Sequence, residues 1–319
     1  MILVCGEALI DLFVRVPGGP EMSTHAVAGG SPFNVAVGLA RLGVRTAFLS
    51  GISRDHFGAF LADRLAREGV DGRFLVRTDR PSPISIVATA DDGQPNYTFH
   101  GEGAADRSLL LAHLPGALPD DIRALTFGSY SMAVEPVGTT FAALAQREHG
   151  RRVISVDPNV RSTVVGDMKS WAVAAERFYR TATMIKASDE DVRLAWGGRV
   201  SIADAAAYWQ KCGARLVVVT EGAKGATAFC ATGSVSVPGR SVVVRDTVGA
   251  GDTFHAALLA QLAKTGRLHP DAIAALDEAA IRELLTYGMA AAAVTVSRDG
   301  ADLPTTADID GSTQPCLTE

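Results

Sequence analysis

Short apolar runs alternate along this chain with longer segments in which apolar residues recur every three or four positions. Runs of the first kind fall at 2–5, 47–50, 125–128, 153–157, 184–186 and 216–220, and they read as buried strands. Segments of the second kind at 34–42, 57–68, 137–149, 171–181, 203–212, 253–265 and 279–295 read as helices. In the sixth of these, Phe254, Ala257, Leu258 and Leu262 share one helix face. Regular alternation of the two kinds predicts an α/β fold with a mostly parallel central sheet flanked by helices. Several strands end in a polar residue or glycine, the end at which open α/β sheets meet their ligands.

The stretch 74–100 breaks this rhythm. FLVRT, ISIVATA and NYTFH read as short antiparallel strands separated by the turn segments DRPSP and DDGQP. With the PGGP loop at 17–20, they predict a small β-lid over one end of the sheet. The opening MILVCGEALIDLF reads as a first buried strand with Asp11 at its end; Glu7 and Asp11 interrupt it, and no basic residues precede it, as a secretory signal would require. No linker, low-complexity tract or fixed-period repeat divides the chain. The expected organisation is a single domain over 1–310, with lid segments around 12–25 and 74–100 inserted in it, and a tail at 311–319.

Composition narrows the class. The 319 residues are 47% hydrophobic and 20% charged, which excludes intrinsic disorder and long coiled coils. Lys+Arg 30 against Asp+Glu 35 gives a net charge of -5, which argues against the broad basic field that nucleic-acid or acidic-membrane binding relies on. No run of eighteen apolar residues is present, and GMAAAAVTVS is the nearest approach, so no membrane partner is expected. Cys5, Cys212, Cys230 and Cys316 are scattered without metal-ligand or disulfide spacing. Reduced thiols in a cytoplasm are the expectation.

The chemistry concentrates in RDTVGAGDTFHAALLAQL. Gly249, Ala250 and Gly251 let the backbone approach a ligand closely, and the helix that follows aims its unpaired N–H groups and positive dipole end at the same place. Asp252 lies in the first turn of that helix, a carboxylate beside an anion site and so a candidate general base. Read alone, it is equally a helix-capping residue. Walker A spacing is absent, and no G-x-G-x-x-G follows the first strand.

DTVGAGDTF at 246–254 and AGGSPFNVAVGLARLG at 28–43 resemble the C-terminal and N-terminal signatures of the ribokinase-like carbohydrate kinases, the phosphofructokinase-B type. GEALIDLF at 6–13 and DPNVR at 157–161 are similar to the fructokinase and 2-keto-3-deoxygluconate kinase branch. The resemblance implies an ATP-dependent, fructokinase-like reaction in which the γ-phosphoryl group passes to a sugar hydroxyl, with Mg²⁺ present and Asp252 as base. It places Asp11, Gly29, Gly30, Asn34, Phe99 and Arg161 at the sugar, and Ser188, Thr220, Gly222 and Gly225 at the nucleotide. Other acceptors of the same family, ketodeoxygluconate or a nucleoside, keep the same mechanism, and a non-catalytic binding protein would keep only the fold. The family's N-x-x-E reads here as Ser188 and Asp191, so the water-mediated metal role falls to Asp191, one methylene shorter than Glu. Where relatives read F-Y-R, this chain has Phe99, His100 and Gly101. Asp246, Val248, Ser297 and Gly300 match loops that bind a monovalent cation, K⁺, in some members, mainly through backbone oxygens. A homodimer through the lid is implied as well, and His255 is read as a helix residue and not a ligand.

Overall fold

The computed structural model describes residues 1–15, 22–89 and 95–313, which fold around two sheets. Four consecutive apolar residues form β1 (Ile2–Cys5). It lies inside the large sheet, and both its faces are covered: Ile2 and Val4 enter one hydrophobic core, Leu3 and Cys5 the other. The chain then crosses to a second sheet for the hairpin β2 (Leu9–Arg15) and β3 (Ser23–Gly29). It returns through α1 (Ser31–Arg41), β4 (Thr46–Ser53), α2 (His56–Arg67) and β5 (Leu75–Thr78). Strands β6 (Ile84–Thr89) and β7 (Pro95–His100) complete the small sheet, in the order β3-β2-β6-β7.

From there alternation is regular, through β8 (Ala124–Gly128), α3 (Val137–Glu148), β9 (Val153–Asp157), the short α4 (Ser162–Val165) and α5 (Met168–Tyr179). Strand β10 (Met184–Ser188), α6 (Asp189–Trp196), α7 (Ile202–Cys212) and β11 (Leu216–Thr220) continue the pattern. An antiparallel hairpin, β12 (Ala226–Cys230) and β13 (Gly233–Val237), closes one edge of the nine-stranded sheet, ordered β13-β12-β11-β10-β9-β8-β1-β4-β5. Helices α8 (Ala250–Lys264), α9 (Pro270–Ala274), α10 (Glu278–Val296) and α11 (Thr306–Thr313) follow. By length and composition α10 could cross a membrane, but half of that stretch is buried, because it packs along α8 and against β13.

Two expectations change. The first strand stops at Cys5, so Asp11 does not end it; Asp11 is the third residue of β2, in the small sheet. FLVRT is no part of the lid: β5 adds to the large sheet, parallel to β4, because the α2 crossover returns the chain to that free edge. In its place the β2–β3 hairpin supplies half of the small sheet. Strands β12 and β13 and helix α6 were not read from the pattern. The 17–20 loop and Cys316 lie outside the described residues.

Candidate active site

Gly249 precedes α8 with φ 78°, a left-handed backbone suited to glycine, and a Cβ there would meet Ala301 at 2.8 Å. The helix that starts at Ala250 has no side-chain cap. Asp252 therefore does not do what its position alone allows. Its buried carboxylate reaches across to α1 instead, where Ser31 Oγ donates to Oδ1 at 2.7 Å and Asn34 Nδ2 donates to Oδ2 at 2.8 Å. The helix read at 34–42 starts three residues earlier, at Ser31 after Gly30 at φ 103°, so Asn34 sits in its first turn.

The small sheet brings a second set of groups to this place. Asp11 pairs with Ser85, and Ser85 pairs with Phe99, so the three form a row on one face across β2, β6 and β7. A Cβ on Gly29 would lie 2.1 Å from Asp11 Oδ2, so any side chain there displaces that carboxylate. Burial pushes the Asp11 carboxyl above its ordinary range, the Ser85 hydroxyl and then Arg161 pull it back, and Asp252 adds a smaller push upward. Asp11, Arg161 and Asp252 thus share one electrostatic neighbourhood. Arg161 is exposed, just beyond the end of β9, after Asn159 at φ 38°.

Beneath lies a buried ion pair. Lys186 Nζ donates to Asp157 Oδ2 at 2.9 Å, joining the middle of β10 to the end of β9. A Cβ on Gly251 would lie 3.1 Å from that Nζ, which puts the ammonium against the N-terminal turn of α8. Burial raises Asp157 to about 7, while the carboxylates of Asp157, Asp191 and Asp252 outweigh burial and raise Lys186. The ion pair is the state that holds, because a neutral Asp157 would leave the lysine charge buried alone. His255, one helical turn beyond Asp252, has Nε2 2.7 Å from Ser155 Oγ, and burial lowers it to about 3, so its imidazole is neutral.

The remaining predicted residues line neighbouring strand ends. Ser188 and Thr220 are register partners at the ends of β10 and β11, and Gly222 (φ 56°) and Gly225 (φ 113°) shape the loop that follows. Asp191 is committed to the backbone: Oδ1 accepts Val160 N at 2.7 Å, and Oδ2 accepts Ser188 N and Oγ at 2.8 and 2.7 Å. Behind the α8 cap, Asp246 accepts from the amides of Val248 and Gly300, and Ser297 caps the C-terminus of α10, so these four gather as one cluster. Among the described residues, no group of three or more His, Cys, Asp or Glu is placed to hold a metal ion. Sequence reasoning missed Ser31 and Lys186. Ser31 lies inside the AGGSPFN motif and Lys186 two residues before Ser188, but nothing local to either says that it meets Asp252 or the α8 turn.

A doubly flanked parallel sheet, a small sheet above it, and a hydrogen-bonded carboxylate at a glycine-capped helix N-terminus define a sugar kinase of the ribokinase-like class. The family model described as "pfkB family carbohydrate kinase" matches residues 1–308, and the chain belongs to that family. It is 44% identical over 283 residues to a fructokinase of Rhizobium leguminosarum bv. trifolii, covering 88% of this chain and 86% of that one. The structure of a fructokinase from Xylella fastidiosa with bound ATP superposes with a TM-score of 0.89 at 28% identity, over 98% of this chain and 97% of the other. A Vibrio cholerae O395 fructokinase in a fructose-, ADP- and calcium-bound form gives 0.83 at 28% identity, over 98% of each chain. This protein is a carbohydrate kinase, fructokinase-like in sequence and fold.

Proposed function

We propose that the chain is an ATP-dependent fructokinase in which Asp252 is the general base. The observation that carries this reading is the Asp252 carboxylate, held by Ser31 and Asn34 at the N-terminus of α8 and flanked by Lys186 below and Asp11 above. A fructose hydroxyl oriented by Asp11, Asn34 and the backbone at Gly29 and Gly30 gives its proton to Asp252. Its oxygen bonds to the γ-phosphorus as the bond to the β–γ bridging oxygen breaks, leaving ADP. Phosphoryl transfer needs positioning and charge neutralisation more than covalent help from the protein. The amides at 249–251 and the Lys186 ammonium supply both to the transferred group. Ser188, Thr220, Gly222 and Gly225 line the nucleotide side, and Phe99 and Arg161 the sugar side. The small sheet closes over the sugar and keeps water from the phosphoryl group.

Mg²⁺ supplies charge neutralisation on the phosphates when bound. Direct ligation by Asp191 does not fit, because both its oxygens hold the backbone, so it would reach the ion only through water. No step depends on that contact. K⁺ is expected at the cluster of Asp246, Val248, Ser297 and Gly300 behind the helix cap; because the Asp246 carboxylate holds the Val248 and Gly300 amides, backbone oxygens would have to bind it. A second copy of the chain meeting the lid, where Phe13 and Met22 are exposed, is the partner we expect. A cytoplasmic setting suits the free thiols of Cys5, Cys212 and Cys230.

Coupled ADP-release assays over fructose, ribose, ketodeoxygluconate and nucleosides test the reading. Fructose should give the highest kcat/KM. Turnover led by ketodeoxygluconate would move the substrate and keep the mechanism, and turnover with none of them would overturn both.

A further inference from the structure

His255 takes no part in the reaction as described, yet it is 1% exposed and faces the polar floor of the site. Its position follows from helix geometry: three residues after Asp252, it projects from the same face of α8. Asp252 meets α1, and His255 meets β9. On β9, Ser155 and Asp157 are two residues apart and point to one side of the sheet. Ser155 Oγ is 2.7 Å from His255 Nε2, while His255 Nδ1 is 3.7 Å from Asp157 Oδ2, too far for a hydrogen bond but directly against the carboxylate. That same Oδ2 accepts the Lys186 ammonium. Ser31, Asp157 and His255 also line one small pocket beneath α1, with Thr126 and Gly128. At about 10 Å³ it has room for about one water molecule and none for a substrate.

A lysine side chain has four rotatable bonds, and its charge stays at one point only if something holds it there. Asp157 is that anchor. Its other oxygen, Oδ1, has no protein partner, so the Lys186 bond alone does not fix the plane of the carboxylate. We propose that His255 is a positioning residue: locked by Ser155, its imidazole fixes Asp157, and through Asp157 it holds the Lys186 ammonium against the Gly251 turn. In the tautomer in which Ser155 Oγ donates to Nε2, the ring hydrogen sits on Nδ1, 3.7 Å from Asp157 Oδ2. The inference rests on the reading of the 249–251 turn and Lys186 as the site of the transferred phosphoryl group. Misplacing a charge there by about 1 Å is worth up to roughly 100-fold in rate.

A double-mutant cycle between His255 and Lys186, read as kcat and as KM for each substrate, tests it. His255→Phe keeps the ring and removes both nitrogens. It should lower kcat about 10-fold to 100-fold with the sugar KM unchanged, but less than about 2-fold when made in a Lys186→Met enzyme. His255→Asn, whose amide takes the place of Nδ1, should retain more activity than His255→Gln, whose amide takes the place of Nε2. Losses that multiply in the cycle overturn the proposal while leaving the anion-site reading intact. A Lys186→Met enzyme with wild-type turnover overturns both. If Lys186→Met or His255→Phe does not fold, Lys186→Gln or His255→Leu takes its corner of the cycle.

Discussion

Oδ2 of Asp252 accepts the side-chain amide of Asn34 at 2.8 Å, a contact that spans 218 residues of chain. Ser31 does the same for Oδ1 at 2.7 Å. The carboxylate is thereby aimed from one helix by another, and neither helix could orient it alone.

Asp252→Asn should lower kcat on the order of 100-fold to 10,000-fold, the usual worth of a positioned base, with the folded state preserved by thermal melting. Steady-state kinetics by coupled ADP release measure it. Unchanged turnover would remove Asp252 from the base role.

Asn34→Ala takes one donor from that carboxylate. A hydrogen bond to a charged group contributes about 1.5 to 3 kcal/mol, so kcat should fall roughly 10-fold to 100-fold. Asn34→Asp should be worse, because it sets a second carboxylate against the first. The same assay reads both, and a weaker effect of Asp than of Ala would contradict the contact.

Gly29→Ala puts a methyl group 2.1 Å from Asp11 Oδ2 and must displace that carboxylate. The sugar KM should rise about 10-fold or more, the loss of one charged hydrogen bond, while the ATP KM stays near its wild-type value. Equal rises in both constants would mean that Asp11 does not serve the sugar.

Glu7 is 1% exposed, and burial pushes its carboxyl up to about 7, against hydrogen bonds from Ser129 and Ser131. The folded protein therefore keeps a proton that the unfolded chain releases near pH 4.3. The stability this group contributes is full below about pH 4.3 and is lost as pH rises through about 7. Glu7→Gln, which cannot ionise, should melt close to wild type at pH 4 and above it at pH 8.5, by on the order of 3 kcal/mol. A gap independent of pH would show that Glu7 titrates normally.

Asp191→Ala should leave the Val160 and Ser188 amides without their acceptor and cost about 1 to 3 kcal/mol in urea unfolding. Asp191→Asn keeps one acceptor oxygen and should lose less. An unchanged urea midpoint with altered Mg²⁺ dependence would assign the residue to the metal alone.

Much of the fold was legible because the signals are local. Strand β1 shows as four apolar residues, α8 as a stripe of Phe254, Ala257, Leu258 and Leu262, and the left-handed cap as Gly249. The β5 strand misled, because FLVRT carries the same alternation whichever sheet it joins; the choice was made by the free edge of β4. Asp191 shows the same limit in the site. Its position matched a metal motif, while its carboxylate took the nearest orphaned amides.

The sequence by itself determined the α/β alternation, the glycine-capped turn before α8 and the motif order that marks a sugar kinase, all properties of residues close together in the chain. Tertiary structure decided the partners: Ser31 and Asn34 on Asp252, Asp157 on Lys186, and β2 beside β6 in the small sheet. Hydrophobic periodicity tells which face of an element is buried and is silent on what lies against it. Polar groups carried into the interior must then find each other, since a buried charge or donor left alone is costly. That requirement selects contacts across 29 to 221 residues that no local pattern encodes.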